Sequence, residues 1–225
     1  MDKSQNKRDV FCEDALVWLE RQPVLENCSL VGSMPDISEF PQFTLSEWKN
    51  WFMTTAGLIL SRCPDNGVTI FYQSDIKYEG IWVDKGFLVQ KAAEAAGHEL
   101  LWHKIACRSP AGMPTFGRPA FTHILCFSKG VRIDISKSTA DVLPDLGEKT
   151  WMRGMGMEAC LMIARFIAEQ TQSQTLVNPF CGEGSMLAAA NSYNLNAIGI
   201  ERSHKRAQKA RHTSISADRK TWINI

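Results

Sequence analysis

A glycine-rich turn late in the chain combines the residue types that bind a nucleotide-like cofactor. The segment reads Thr175-Leu-Val-Asn-Pro-Phe-Cys-Gly-Glu-Gly-Ser185 and predicts a strand, a tight turn and a helix over 185–191. A second predicted strand, 197–201, ends in the acid Glu201. Glycines let a ligand approach the backbone, helix-initiating N–H groups attract anions, and such an acid accepts hydrogen bonds from ribose hydroxyls. We therefore expect a cofactor site here, with a ligand-free strand–helix turn as the alternative.

The place of this turn in the chain predicts an unusual order of elements. Such a turn normally opens its domain, yet only residues 202–225 follow Glu201, which is too little chain for the rest of a doubly wound sheet. The remaining strands must therefore precede the turn, in a circularly permuted domain. A dinucleotide site would also carry a third glycine, but Met186 and Leu187 follow Gly184 directly.

The composition is that of a globular protein without a membrane span. The chain has 225 residues, of which 44% are hydrophobic and 22% charged, and it suits one domain, 1–225. No apolar run reaches the length of about 18 residues that a bilayer requires. The N-terminus is polar without an apolar segment after it, and the seven cysteines include no C-x-x-C pair. We expect a cytoplasmic protein with reduced thiols, and at a net charge of +1 any nucleic-acid partner must bind a local basic patch.

Predicted strands alternate with predicted helices, which indicates an α/β layered sheet. The expected helices are 9–21, 45–62, 85–96, 157–170 and 203–211, and the expected strands before the turn are 27–32, 68–72, 99–107 and 120–128. The strands 99–107 and 120–128 are joined by a loop, so we expect them to be antiparallel. Thr44 and Glu47 form a capping-box pattern before the second helix. The stretch 132–150 has little periodicity and is interpreted as a surface insertion.

The residues around the glycines resemble a motif of one enzyme family. Pro179-Phe180 before Gly182 and Gly184 is similar to the D-P-F-x-G-x-G-T motif of amino-group (N4/N6) DNA methyltransferases, in the class I superfamily that uses S-adenosylmethionine. Asn178 replaces the aspartate and Ser185 the threonine. The resemblance implies that the cofactor is held by the following residues: Asn178, Pro179, Phe180, Cys181, Gly182, Gly184, Ser185, Glu201 and Arg202.

The resemblance extends over about residues 25–212, in the order of the permuted (beta-type) branches of that family. Lys85 to Lys104 is similar to the family's helix, glycine turn and "I-I-W-x-K" strand, and Arg118 to Lys129 to its next strand. This implies a Rossmann-like class I methyltransferase sheet, circularly permuted, with an antiparallel strand pair. It divides the chain into a catalytic half (25–130), a short insertion (131–156) and a cofactor-binding half (157–212).

The family's catalytic S-P-P-Y motif corresponds here to Ser33-Met34-Pro35-Asp36, which makes Ser33, Pro35 and Asp36 the implied catalytic residues. In the family, the first side chain and the first proline carbonyl accept hydrogen bonds from an amine, and the aromatic residue stacks on a flipped base. Met34 keeps the carbonyl, but Asp36 cannot stack. A carboxylate there could remove a ring N–H proton or hold a hydroxyl. Alternatively, Asp36 and Ser38 cap a turn.

Four further residues are candidates for substrate contact. Gln73 and Asp75 follow a strand at the edge where such sheets bind ligands, although a polar loop start is an equal interpretation. Lys104 and Arg118 could belong to a basic rim interleaved with aromatic residues, although most such charges are ordinary solvated positions. The two strand histidines lack metal-ligand spacing, so no metal is expected. A homodimer is one option for assembly.

The implied substrate is a nucleic acid. Sequence-specific DNA enzymes need a sizeable recognition region, and the stretch 130–156 is short. We therefore expect an RNA substrate, of which tRNA is the commonest, with DNA as the alternative. A third hypothesis, from another class, is a non-catalytic or partner-dependent subunit that binds the cofactor but has lost S-P-P-Y.

Overall fold

The computed structural model describes residues 7–223, and this part of the chain forms twelve β-strands and six α-helices. The strands are β1 (Arg8–Phe11), β2 (Cys28–Gly32), β3 (Thr69–Gln73), β4 (Ile76–Tyr78), β5 (Ile81–Val83), β6 (Glu99–Cys107), β7 (Phe121–Ser128), β8 (Val142–Leu143), β9 (Thr175–Asn178), β10 (Asn196–Ile200), β11 (Ser214–Ile215) and β12 (Trp222–Ile223). The helices are α1 (Ala15–Arg21), α2 (Leu45–Ser61), α3 (Lys85–Ala95), α4 (Met157–Gln170), α5 (Ser185–Ser192) and α6 (His204–His212). Residues 1–6, on which the prediction about a secretory signal largely rests, lie outside the described residues.

Eight strands form one sheet in the order β1-β10-β9-β2-β3-β7-β6-β8. The five strands from β1 to β3 in this order are parallel, and β7 runs antiparallel to both β3 and β6. This confirms the α/β sheet with an antiparallel pair. The unit β9–α5–β10 comes late in the chain but lies inside the sheet, with β9 beside β2. The order of elements is therefore the permuted one.

Helices cover both faces of the sheet because successive side chains of each central strand point to opposite faces. Leu30, Phe71 and Val177 pack with residues of α1, α2 and α3 in one buried cluster. Val31 and Ile70, one position away from two of these residues, pack with residues of α4, α5 and α6 in the other. The central strands are apolar on both faces, as expected of buried parallel strands.

The expected capping box of α2 is present. Thr44 Oγ1 accepts a hydrogen bond from the backbone N–H of Glu47, whose carboxylate accepts one from the backbone N–H of Thr44. Trp48, Phe52 and Ile59 of this helix are fully buried. The cap and the apolar stripe together explain why this long helix begins where the sequence predicts it.

The expected helix over 9–21 is wrong in its first half. Residues Arg8–Phe11 form β1, which pairs in parallel with β10 at the edge of the sheet. The helix begins only after Asp14, whose side chain accepts hydrogen bonds from the backbone N–H groups of Leu16 and Val17. Aspartate is a favoured N-cap residue, so Asp14 indicates that the helix begins after it and that residues 9–13 belong to a different element.

The segment expected to be a surface insertion is only partly at the surface. Its strand β8 pairs with β6, and Leu146 and Met155 are buried in the core. Lys149 forms a β-bridge with Gly156 that returns the chain to α4. The second half of the segment therefore belongs to the body of the domain, although the proposed limits of the two halves remain a prediction.

None of the helices within residues 7–223 is long and apolar enough to cross a membrane. All seven cysteines are free thiols, and five of them are buried.

Candidate functional site

A cavity of about 490 Å³ opens at the carboxyl ends of the central parallel strands. It is lined by segments that follow β2, β3, β9 and β10, which meet because neighbouring parallel strands end at the same edge of the sheet. It brings together these sequence-predicted residues: Ser33, Pro35, Asp36, Gln73, Arg118, Asn178, Pro179, Phe180, Cys181, Gly182, Ser185, Glu201 and Arg202. Such a volume and position suit a small-molecule ligand.

Gly182 forms the turn between β9 and α5 with a φ of +55°, a conformation that favours glycine. A Cβ placed on Gly182 would lie 3.2 Å from the indole of Trp151. The Arg206 guanidinium carbon lies 5.2 Å from the centroid of the same indole. Trp151 therefore forms a wall of the cavity beside the turn.

Gly184 has a different role from the predicted ligand approach. It does not line the cavity but begins α5 with a φ of +85°. A Cβ there would lie 2.7 Å from the Cα of Ala210 and 2.9 Å from its carbonyl oxygen. The close packing of α6 against the start of α5 therefore requires glycine at this position, with or without a ligand.

Glu201 follows β10 and is 8% exposed. One of its oxygens, Oε1, accepts a hydrogen bond from the backbone N–H of Ser203 at 2.8 Å. The same oxygen accepts two from the guanidinium of Arg206, at 3.1 and 3.0 Å. Oε2 carries none of these bonds, so the carboxylate is held by one oxygen and can offer the other to a ligand.

The other residues of the turn make local contacts that shape it. Asn178 Oδ1 accepts a hydrogen bond from the backbone N–H of Phe180, and the hydroxyl of Ser185 bonds that of Thr150 at 2.9 Å. Burial, followed by the charge of Glu201, raises the pKa of the Cys181 thiol to about 12. The thiol is therefore protonated at neutral pH and is a poor nucleophile.

On the opposite side of the cavity, Asp36 is held by two cations. Lys85 Nζ donates to Oδ1 and Arg118 Nη2 donates to Oδ2. The side chains of Lys85 and Asp36 are 3% and 11% exposed, whereas that of Arg118 is 40% exposed. Burial lowers the pKa of Lys85, and the carboxylate of Asp36 opposes that shift. Asp36 precedes the short 3-10 helix Ile37–Glu39 but its side chain does not cap it, so the turn-cap interpretation of Asp36 is wrong.

The rest of the 33–36 segment leaves polar groups open to the cavity. Within residues 7–223, the Ser33 hydroxyl has no hydrogen-bond partner, and both Ser33 and Pro35 line the cavity. Met34, which lies between them, also lines the cavity and is 4% exposed. The segment can therefore present a hydroxyl and a carbonyl to an acceptor.

Asp75 and Lys104 lie away from the cavity, and the protein engages their polar groups. The carboxylate of Asp75 accepts from the backbone N–H of Lys85, the indole of Trp82 and the ring of His123 at 2.8, 3.0 and 3.1 Å. Burial alone would raise the pKa of Asp75, but the hydrogen bond and charge of His123 and the other donors lower it below its usual value. Lys104 Nζ donates to two carbonyls and a carboxylate of the loop 139–141. Both residues position neighbouring segments.

In the part of the chain that the structure describes, one group has metal-like spacing. Ligand atoms of Asp75, Asp84 and His123 lie within 4.8 Å of one another. However, Asp75 and His123 bond each other, and Asp84 Oδ1 caps α3 by accepting from the backbone N–H of Phe87. These atoms are used in holding the start of α3, and the expected absence of a metal stays a prediction.

Several residues that line the cavity are absent from the sequence-predicted site. They include Arg108, Lys149, Trp151 and Arg206. Lys149 and Trp151 lie in or beside the segment without periodicity, so no sequence signal pointed them towards the cavity.

Three solved structures are similar to this chain along most of its length. TTHA0409 from Thermus thermophilus, a candidate DNA modification methylase, was solved with S-adenosyl-L-methionine; it matches with a TM-score of 0.69 and 17% identity, over 90% of this chain and 91% of that one. The PvuII DNA methyltransferase (cytosine-N4-specific) matches with a TM-score of 0.68 and 16% identity, over 92% and 86%. The complex of M1.HpyAVI with S-adenosylmethionine matches with a TM-score of 0.62 and 14% identity, over 91% and 98%.

No protein-family model matches the sequence, and no curated protein matches it. The likeness to solved structures therefore bears on the fold. The resemblance seen in the motifs is thereby confirmed for the fold: the chain has the class I methyltransferase fold, which it shares with these DNA methylase structures.

Proposed function

We propose that the protein is an S-adenosylmethionine-dependent methyltransferase that acts on nucleic acid, with DNA as the favoured substrate. The observation that carries this proposal is the meeting, in one cavity, of the Gly182 turn, the Glu201 carboxylate and the Ser33–Asp36 segment. The first two suit a nucleoside cofactor, and the third presents polar groups from the neighbouring strand β2.

The residues of the cavity fit that cofactor. Glu201 has an oxygen free of protein hydrogen bonds, which can accept from ribose hydroxyls. The first-turn N–H groups of α5 suit a carboxylate, since a helix start carries partial positive charge. Trp151 and Phe180 supply apolar surface next to the turn. Two of the similar structures, TTHA0409 and M1.HpyAVI, were solved with S-adenosylmethionine, which supports the same assignment.

When bound, S-adenosylmethionine supplies an electrophilic methyl group on a sulfonium. The chain's own contribution is to orient an acceptor and exclude water. The Ser33 hydroxyl and the Met34 carbonyl accept hydrogen bonds from the acceptor group, and Pro35 stiffens the segment that carries them. These contacts draw electron density towards the attacking atom, and the proton that this atom releases after it has accepted the methyl group passes to solvent.

Asp36 holds this segment in place and does not serve as the base. Both of its oxygens are engaged, one by Lys85 and one by Arg118. Each oxygen is thus occupied by a cation of the protein, and neither is left free to approach an acceptor group. We infer that Asp36 is a positioning residue that anchors the Ser33–Pro35 segment to α3.

DNA is favoured over RNA on the basis of the similar structures. TTHA0409 is a candidate DNA modification methylase, and PvuII is a cytosine-N4 DNA methyltransferase. The match covers 90% of this chain and 91% of the TTHA0409 chain, so the two chains are similar in length. The shortness of the segment 130–156 is therefore no reason to prefer RNA. These comparisons give no support to an RNA substrate, including tRNA.

The test is tritium transfer from methyl-labelled S-adenosylmethionine to nucleic acid. We expect label in DNA made by polymerase chain reaction, which carries no methyl groups, and none in total RNA. Nucleoside mass spectrometry then identifies the methylated base. Ser33→Ala is expected to slow transfer by about 100-fold, because it removes one acceptor contact, while cofactor binding stays unchanged. Ser38→Ala, a serine on the following 3-10 helix, is the matched control and keeps full activity.

Label in RNA but not in DNA would restore the RNA hypothesis. Cofactor binding without transfer to either would overturn the methyltransferase proposal and favour the third hypothesis, a non-catalytic or partner-dependent subunit. This third hypothesis is supported by Asp36, which replaces the aromatic residue of the family and cannot stack on a base.

A further inference from the structure

Three of the cations that line the cavity influence one another. Arg108 follows β6, Arg118 lies before β7, and Lys149 lies between β8 and α4. They are close enough to repel one another. Burial and then the charges of Arg108 and Arg118 lower the pKa of Lys149, and burial and then Arg118 lower that of Arg108.

The protein provides too few negative charges for this cluster. Asp36 is bonded by Lys85 and Arg118, so its two oxygens are already used. Glu39, which also lines the cavity, pairs with Arg153 at 3.2 Å. Within residues 7–223, the side chains of Arg108 and Lys149 have neither an ion pair nor a hydrogen bond with a protein acceptor.

Two buried donors beside the cluster also lack acceptors. Arg108 Nη1 and Gln73 Nε2 are both buried without a hydrogen-bond partner among the described residues. Gln73 is 1% exposed and lines the same cavity. Buried donors are almost always bonded in folded proteins, so unpaired donors on two residues that line the same cavity favour a ligand that brings acceptor oxygens.

We propose that Arg108, Lys149 and Gln73 form a phosphate subsite next to the acceptor segment. A planar guanidinium, an ammonium and an amide N–H together suit a tetrahedral oxyanion with several acceptor oxygens. This inference rests on the proposed function, in which the substrate is a nucleotide within a nucleic acid. The bound group is a phosphate of the target nucleotide or of its neighbour.

The subsite accounts for the departure at residue 36. Where the family has an aromatic residue that stacks on the base, this chain has a carboxylate that holds Arg118 beside Arg108 and Lys149. The target nucleotide is therefore bound through its phosphate by Arg108, Lys149 and Gln73, and it does not need to stack on residue 36.

The test compares deoxynucleoside 5′-monophosphates with the corresponding deoxynucleosides by isothermal titration calorimetry, with S-adenosylmethionine present. We expect the wild-type protein to bind at least one monophosphate about 10-fold or more tightly than its nucleoside, since a phosphate gains charge-assisted hydrogen bonds. Inorganic phosphate should compete, which shows that the phosphate group itself is recognised. Arg108→Gln and Lys149→Gln should each remove most of this preference.

Lys205→Gln, an exposed lysine on α6, removes the same charge elsewhere and should leave the preference intact. The Arg108 and Lys149 variants should melt at or above the wild-type temperature, because each relieves repulsion within the cluster. Equal binding of monophosphate and nucleoside, no binding of either up to millimolar concentration, or an unchanged preference in both variants would overturn the subsite.

This failure is distinct from failure of the proposed function. Methyl transfer to DNA with an unchanged KM in Arg108→Gln and Lys149→Gln would refute the subsite alone. Phosphate-dependent nucleotide binding without transfer to any nucleic acid would refute the enzymatic proposal alone.

Discussion

Replacing Gly184 with alanine is expected to lower the free energy of unfolding by about 3 kcal/mol. Part of the loss is conformational, because the residue has a φ of +85°, which side chains with a Cβ rarely adopt. The rest is steric, because the new Cβ would lie 2.7 Å from the Cα of Ala210 in α6. Backbone atoms of a packed helix cannot move aside cheaply, so α5 and α6 must separate. Urea unfolding followed by circular dichroism measures the change.

Gly57→Ala is the matched control. Gly57 lies inside α2, and a Cβ there would meet nothing within 4 Å. This variant should be stabilised by about 0.5–1 kcal/mol, because alanine is the better helix former. Equal stabilities of the two variants would show that α6 does not pack against the start of α5 as described.

Asp36→Ala is expected to destabilise the protein by about 3–5 kcal/mol at pH 7, because it leaves the buried ammonium of Lys85 without a carboxylate. In the variant, burial is no longer opposed by the carboxylate, so Lys85 loses its proton in the folded state but keeps it in the unfolded state below its ordinary pKa. The unfolded state then carries more bound protons, so stability rises with pH. The destabilisation should therefore shrink as the pH is raised from 7 to about 10.

Two further variants make this prediction specific to the buried pair. Asp36→Ala combined with Lys85→Met removes both charges and should recover most of the lost stability. Glu39→Ala breaks the more exposed pair with Arg153 and should cost about 1 kcal/mol or less. If Asp36→Ala unfolds at the wild-type urea concentration, the pairing of Asp36 with Lys85 is not a buried one.

The parts of the fold with a local signal could be predicted from the sequence. The turn at Gly182, the capping box at Thr44 and the apolar strands are local patterns, and α4 spans 157–170 as expected. The edge strands β1 and β8 are short and mixed in polarity, so their formation depends on the neighbouring strand that they pair with. No local pattern could reveal them.

The part of the cavity lining around the Gly182 turn could be predicted from the sequence, and the part around Asp36 much less so. Glu201 and Gly182 are close in sequence and belong to one β–turn–α–β unit. Asp36 meets Lys85 and Arg118 across separations of 49 and 82 residues. Such pairing is decided by the packing of the whole sheet, which a sequence pattern does not show. Gly184 shows a second limit of the sequence, since the packing of two helices already requires glycine there and its predicted contact with the cofactor stays a prediction.

The central claim is that the edge formed by β9 and β10 binds S-adenosylmethionine, and calorimetric titration of the purified protein tests it most directly. We predict binding by the wild-type protein and by Glu20→Gln, an exposed control. Glu201→Gln should bind about 10- to 150-fold more weakly, because the ribose hydroxyls lose a charged acceptor. No binding by the wild-type protein, or equal binding by Glu201→Gln, would contradict the claim.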